Sequence, residues 1–394
     1  MYVPVDSSFR YCPGCQQATS HEVLSLASVP VFCNVLHQTR EAARTAARGA
    51  LQLRVCDSCG LIYNASFEPA LVDYQNDYEN ALHFSPVFAD FLGQLSRRLV
   101  AGNHLQRARI LEIGCGDGYF LKMLCKDGCN IGLGFDPSAQ AKTLNNGTKM
   151  AIFAEPYTAD NARDDVDFVC CRHVLEHLDR PRELISLLMQ SLKRSRIGRI
   201  YCEVPNVRYM LDKTSVWDAL YEHCLYFSPE SLASFFRRIG CEVVAEETAF
   251  GEQFAAVTAS VHGRNAKIVH DHDVRRLVNL ARDFERNAKA KLATWEAKLH
   301  ELQSQGRRIA LWGSGTKGVM FLNTVANSQA VDFVVDLNPR KHGCFVAGTG
   351  HAICSPDALR DGNVTDIVLT NPLYQSEIRS HVESLGITAQ LHCP

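Results

Sequence analysis

Residues 110 to 118 read Ile-Leu-Glu-Ile-Gly-Cys-Gly-Asp-Gly, and a second apolar run, Ile131 to Phe135, stops at Asp136. The run Ile110 to Ile113 suits a buried strand. Gly114, Gly116 and Gly118 let the backbone turn tightly into a helix and leave bare main chain for a ligand to approach. A carboxylate ending the next strand stands where it can accept hydrogen bonds from both hydroxyls of a ribose. The succession of strand, glycine turn, helix, strand and acid commits this stretch to an open α/β sheet with an adenosine-binding crevice at its carboxyl edge. Glu112, Gly114, Cys115, Gly116, Asp136 and Pro137 are the candidate cofactor contacts.

The surrounding pattern extends that sheet. Strand-like runs at about 109–113, 131–135, 151–154, 166–171 and 199–204 alternate with amphipathic segments such as Tyr119 to Lys126 and Arg182 to Lys193. Ser228-Pro229-Glu230 opens a helix, and strands at 241–246 and 254–261 follow. The reading is five parallel strands plus a terminal hairpin, in a domain over 76–265. From 266 to 305 glycine and proline almost vanish and Arg, Lys, Glu and Ala dominate. This predicts a helical linker, read as a solvated spacer between domains rather than a dimer coiled coil because leucine spacing is irregular. A second α/β unit, 306–394, opens with the strand Ile309 to Trp312, the turn Gly313-Ser314-Gly315-Thr316-Lys317-Gly318 and a strand ending at Asp336. That spacing fits a dinucleotide site for NAD, or a helix N-terminus lining a substrate pocket and facing phosphate.

With 394 residues the chain exceeds a single core, and 46% hydrophobic against 21% charged residues is ordinary globular composition. A net charge of −2 and no basic stripe argue against a nucleic-acid partner. Met1 to Arg10 carries no signal-peptide core and no apolar run approaches the ~20 residues of a membrane span, so the expected location is cytoplasmic. Most of the 16 cysteines sit singly in apolar runs and read as small buried hydrophobes. Cys12-Pro-Gly-Cys15 and Cys56-Asp-Ser-Cys59 differ. Two such knuckles complete a tetrahedral Cys₄ site for structural Zn²⁺, with redox pairs as the alternative, in a module over 1–75. Between them, Arg40 to Leu51 reads as a short helix or mobile loop.

Four further segments concentrate polar and aromatic groups near the ligand edge. His173 follows the fourth parallel strand and is a candidate cofactor contact, while Glu176 and His177 read as more structural. Asn206 follows the fifth strand and is a candidate substrate contact. The loop Tyr221-Glu222-His223 combines a phenol, a carboxylate and an imidazole, with His223 as candidate base and Glu222 orienting it. Residues 76–86 can fold over the crevice as a lid, with Tyr78 and His83 as candidate substrate contacts.

Glu112-Ile113-Gly114-Cys115-Gly116 resembles motif I of the S-adenosyl-L-methionine (SAM) methyltransferases, and the sheet plan that of their class I, Rossmann-like fold. Together with the Cys₄ knuckles, the Glu222-His223 loop followed by Tyr226-Phe227-Ser228, and Trp312-Gly313-Ser314-Gly315, the chain resembles the three-domain sugar C-methyltransferases. That resemblance implies SAM as cofactor and a keto-deoxysugar linked to a nucleotide as the small-molecule substrate. It also implies His223 as base, Lys317 and the Gly313 to Gly318 turn near the substrate, and a terminal unit that holds substrate without using NAD. Leu220 stands where that family usually has tyrosine. O- or N-methylation of another small metabolite, and an NAD-dependent oxidoreductase using Gly313 to Gly318, are the competing readings. The sequence does not fix the oligomeric state.

Overall fold

The computed structural model describes residues 11–72, 78–139, 142–144, 149–263 and 271–394. The expected domain borders at 75/76 and 265/266, and Asn76 and Asp77 of the lid segment, lie outside the described residues. The rest is α/β, with strands gathered into three sheets.

The N-terminal sheet contains β1 (Ser20–Pro30), β2 (Arg48–Cys56) and β3 (Ile62–Asn64). β1 and β2 pair antiparallel from Ser20 opposite Cys56 to Pro30 opposite Arg48. This corrects the helix or mobile loop expected over Arg40 to Leu51, because helix covers only Arg40–Arg44 and strand begins at Arg48. Leu51, Leu53 and Val55 are fully buried and alternate with Gln52 and Arg54, a period-two pattern that the preceding Ala and Arg obscured.

The middle sheet runs through β4 (Arg109–Ile113), β5 (Ile131–Phe135), β6 (Lys142–Leu144), β7 (Lys149–Phe153), β8 (Phe168–Arg172) and β9 (Arg199–Pro205). A short β10 (Leu225–Tyr226), then β11 (Glu242–Ala249) and β12 (Phe254–Ser260) follow. The spatial order is β11-β12-β9-β8-β4-β5-β7-β6. β7, β5, β4, β8 and β9 are parallel, and the antiparallel pair β12–β11 closes one edge, matching the expected plan. The order reverses beside β4, so ligands are expected beyond its carboxyl end. β10 leaves this sheet and pairs antiparallel with β3. The cysteine module is therefore completed by the strand that follows Glu222 and His223, which fixes that loop.

The C-terminal sheet is β13 (Ile309–Trp312), β14 (Val331–Val335), β15 (Ile353–Cys354), β16 (Asp366–Leu369) and β17 (Gln390–His392), all parallel, in the order β15-β14-β13-β16-β17. A Cβ at Gly318 would sit 2.0 Å from the Gly313 carbonyl oxygen, so this glycine lets helix and strand approach closely.

Helix Asp271–Ser304 corrects the solvated spacer. Leu277, Ala281, Phe284, Ala288, Trp295, Leu299 and Leu302 are buried at helical spacing, forming one intramolecular face. Leu277 packs on Gly60 of the cysteine module, and Trp295 meets Phe321 of the C-terminal unit at 5.4 Å between ring centroids. The helix is a strap across the molecule. Among the described residues no helix is long and apolar enough to cross a membrane.

Candidate active site

A cavity of about 1340 Å³ opens at the carboxyl end of β4, and Glu112, Gly114, Cys115, Gly116, Asp136, Pro137 and His173 all line it. Gly114 has φ 71°, and a Cβ there would lie 2.2 Å from the Val174 side chain, so the turn admits only glycine. Asp136 accepts from the Gly116 N–H and the Ser138 N–H, both at 2.8 Å, and from the Ser138 hydroxyl at 2.7 Å, holding the turn against the end of β5. Glu112 is 3% exposed, and its Oε2 accepts no hydrogen bond. Burial pushes its carboxyl up to about 8, against the pull of the Arg172 guanidinium. A buried carboxyl with one oxygen left open, beside a bare glycine turn, fits a ligand bearing both an ammonium group and a nucleoside, as SAM does.

The described part of the lid, from Tyr78 on, lies across the mouth. Tyr78 and His83 both line the cavity. The His83 ring stacks on Tyr119 at 4.1 Å, nearly parallel, with its Nε2 3.8 Å from Asp117 in the turn. The C-terminal unit grips the same segment at two points. Asn338 Nδ2 and Arg340 donate to the Glu79 carboxylate at 3.0 and 3.1 Å, and Glu377 accepts from the Ser85 hydroxyl at 2.7 Å. Arg340 also reaches Asp117 at 3.5 Å and is the C-terminal residue that enters the cavity wall. Neither its position nor its partners follow any motif, which is why sequence reasoning missed it.

Away from the glycine turn the wall becomes polar. Tyr78 donates its hydroxyl proton to Glu222 Oε2 at 2.7 Å, and the Cys33 N–H donates to Oε1 at 3.2 Å. Burial raises the Glu222 carboxyl, opposed by His177 and by those hydrogen bonds. His177, taken from sequence as structural, lines the cavity with its Nδ1 3.1 Å from the Glu222 carbonyl oxygen. The ring of His223 stands edge-on to His177 at 4.7 Å, outside the cavity wall. Burial, then the neighbouring His177, drives His223 well below the ordinary imidazole range. The Glu222 carboxylate turns to Tyr78 and Cys33, so it does not orient His223 as expected. His173 lies 3.3 Å from Glu203 and 3.6 Å from Glu176. Burial opposes its charge, but the two carboxylates hold it above the usual value.

Other expected contacts lie elsewhere. Tyr221 is fully buried, its hydroxyl accepts from the Glu68 N–H at 3.0 Å, and its ring rests on Gly49 and Phe67; it packs the loop onto the cysteine module, away from any reacting group. Asn206 caps helix Val207–Asp212 and donates to the Glu252 carbonyl at 2.8 Å, which uses its whole side chain. Lys317 pairs with Asp218 and lies over the Tyr209 ring, and neither it nor the turn 313–318 reaches the cavity.

The four knuckle cysteines converge, with all sulfurs within 4.8 Å of one another. Cys12 and Cys59 are 3.6 Å apart and Cys15 and Cys56 3.5 Å. A tetrahedron of sulfurs about 2.3 Å from zinc has edges of roughly 3.8 Å, so the cluster is shaped to hold one such ion. Hydrogen bonds within it push Cys12 and Cys59 up and Cys15 and Cys56 down.

Comparison with known proteins gives two family matches along the chain. Residues 86–246 match the family described as a methyltransferase domain, and residues 255–386 match a C-methyltransferase C-terminal domain. The chain is 30% identical over 98 residues to a tRNA U34 carboxymethyltransferase of Sulfurimonas denitrificans, covering 23% of this chain and 33% of that protein. It is 23% identical over 128 residues to a ubiquinone biosynthesis O-methyltransferase of Erwinia tasmaniensis, covering 31% and 50%. The chain thus spans a third to a half of the length of these curated relatives. Among solved structures, magnesium protoporphyrin IX methyltransferase from Synechocystis with bound SAH aligns at 14% identity and TM-score 0.34, over 44% of this chain and 83% of that one. The plantazolicin methyltransferase BpumL with SAH aligns at 16% and 0.34, over 45% and 85%. Residues 86–246 are thus similar to a methyltransferase domain and residues 255–386 to a C-methyltransferase C-terminal domain.

Proposed function

We propose that the whole chain is a SAM-dependent C-methyltransferase acting on a carbon next to a ketone in a small metabolite, with a keto-deoxysugar linked to a nucleotide as the favoured class. The observation that carries this reading is the single cavity joining the Glu112–Asp136 turn to the Tyr78–His177 wall. Its volume, about 1340 Å³, exceeds the ~300–1,000 Å³ of an ordinary small-molecule pocket and leaves room for a second ligand beside the cofactor. The C-methyltransferase match over residues 255–386 supports carbon as the acceptor. Arg180 and Arg340 on the lining supply cations for an anionic diphosphate.

SAM, when bound, supplies an electrophilic methyl group. Glu112 would hold its ammonium and Asp136 its ribose hydroxyls. The proton on the acceptor carbon passes to the Tyr78 oxygen as the Tyr78 proton moves to Glu222, leaving an enolate to take the methyl. This assigns the base to Glu222 acting through Tyr78, in place of His223, which lies one layer behind the wall. Raised basicity and a 2.7 Å hydrogen bond suit Glu222 to the task. The cysteine cluster is read as a structural zinc site that holds β10 and the loop before it. Glu222→Gln should lower turnover by at least ~10²-fold while leaving SAM binding within about twofold. Turnover unchanged in that variant removes Glu222 as base. The position of a labelled methyl, on carbon or on oxygen or nitrogen, separates this reading from O- or N-methylation.

A further inference from the structure

We propose that Arg172 binds the carboxylate at the amino-acid end of SAM, so that Arg172 and Glu112 together recognise the intact zwitterion. Arg172 ends β8 and lines the cavity beside the glycine turn, where a Cβ at Gly114 would lie 3.7 Å from its carbonyl oxygen. The Arg172 side chain is 9% exposed, and its guanidinium lies over the Phe120 ring at 4.6 Å to the centroid. A guanidinium carries five N–H donors. Among the described residues this one makes a single hydrogen bond, from Nε to Glu203 Oε1 at 2.9 Å. Nη2 stands 2.7 Å from the same oxygen in an ion pair but makes no hydrogen bond. Glu203 has little more to offer, since its Oε2 accepts from the Tyr201 hydroxyl at 2.8 Å and His173 Nε2 lies 3.3 Å from Oε1. The next residue turns sharply: His173 has φ 54°, a left-handed conformation uncommon outside glycine and concentrated at ligand sites.

Glu112 offers the opposite charge from the neighbouring strand. It pairs in register with Cys170, two residues before Arg172, so the Glu112 and Arg172 side chains leave the same face of the sheet. Glu112 Oε2 accepts no hydrogen bond, yet the two residues do not form an ion pair with each other. A buried guanidinium and a buried carboxyl held apart, each with an atom unpartnered, are costly by themselves and complementary to a ligand that carries both charges. An α-amino acid does so, with ammonium and carboxylate joined through one carbon. A diphosphate carries only the negative half, so the pair selects the cofactor's end over an acceptor's phosphates. Assigning the ammonium to Glu112 rests on the proposed function; assigning the carboxylate to Arg172 requires only that SAM is the cofactor.

The test is calorimetric titration of the full chain with S-adenosylhomocysteine and two analogues, one lacking its carboxylate and one lacking its amino group. The unaltered chain should bind the decarboxylated analogue at least ~10-fold more weakly than S-adenosylhomocysteine. Arg172→Lys keeps a cation beside Glu203 but loses the planar fork. It should weaken S-adenosylhomocysteine by at least ~10-fold and leave the decarboxylated analogue within about twofold of its affinity for the unaltered chain. Glu112→Gln should instead weaken those two ligands alike and spare the deaminated analogue. Equal binding of S-adenosylhomocysteine and its decarboxylated analogue by the unaltered chain overturns the proposal. So does an equal loss for both in Arg172→Lys, the mark of a purely structural arginine. A Glu112→Gln loss as large with the deaminated analogue contradicts the ammonium reading alone, which the Arg172 measurements do not use.

Discussion

Glu112 is the residue whose chemistry is most sharply set by its surroundings. A carboxyl held at about 8 is mostly protonated at neutral pH, and a cofactor ammonium placed against it lowers that value and expels the proton. SAM binding at pH 7 should therefore release close to one proton per chain, and affinity should rise with pH until about 8. Calorimetry in buffers of different ionisation enthalpy reads this directly. Glu112→Gln should abolish the release and weaken SAM by roughly tenfold; release of the same size in that variant would exclude Glu112 as its source. A second residue tests stability. Burial alone would raise Asp366, but Arg307 at 2.7 Å, His392 at 2.7 Å and the Thr365 hydroxyl outweigh it and hold the carboxyl below its usual value. Its folded value lies below its unfolded one, so the stabilisation is full above about pH 4 and fades as pH falls through the lower folded value. Asp366→Asn should thus lower the melting temperature at pH 7 and lose that difference under strongly acidic conditions. At this scale the sequence was legible where spacing dictates role, as in Gly114 to Gly118 and Asp136. It was not legible for Tyr221, Asn206 and Lys317, whose polar atoms are consumed by local contacts that only folding reveals. Nor did it reveal that His177, rather than His223, forms the wall.

Secondary elements followed the sequence closely where one period dominates. The five parallel strands and the terminal hairpin fell within a few residues of expectation, because each is a short apolar run bounded by polar or turn-forming residues. The failures share a cause. β2 begins inside a stretch whose alanines and arginines mimic a helix, and the long strap helix has leucines too irregular for a coiled coil yet buries Phe284 and Trp295, the latter against Phe321. Packing between elements supplies the next prediction. A Cβ at Gly49 would lie 2.2 Å from the Tyr221 ring, so Gly49→Ala should overpack the junction between the cysteine module and the Glu222 loop, costing about 1–3 kcal/mol in denaturant titration. A change below about 0.3 kcal/mol would mean that Tyr221 is free to move. The lid clasp is weaker. Arg340 is half-exposed, and removing it should cost under ~1 kcal/mol of stability. It should still speed SAM dissociation several-fold, because Glu79 and Asp117 lose the link across the mouth. An unchanged dissociation rate in Arg340→Ala would show that the lid is held by other contacts.

As a whole molecule, the chain surrounds one reaction volume with three units that each fix a different wall. The methyltransferase sheet offers the cofactor turn. The cysteine module, through β3 and β10, anchors the loop that carries Glu222 and His223, and the C-terminal unit pins the lid through Asn338, Arg340 and Glu377. Near-attack geometry can supply ~7–11 kcal/mol of a transfer barrier, which gives a physical reason for spending two units on positioning. Cys15→Ser, which breaks the four-cysteine cluster, should accordingly depress turnover more than SAM affinity, because the module anchors β10 and the loop before it. Equal loss of both would contradict that division. The most direct measurement is incubation of the chain with SAM labelled by ¹³C at the methyl and a nucleotide-linked keto-deoxysugar, with the product read by ¹³C NMR. The account predicts the label on carbon adjacent to the ketone, with transfer lost in Glu222→Gln while SAM remains bound. Label on oxygen or nitrogen would contradict it.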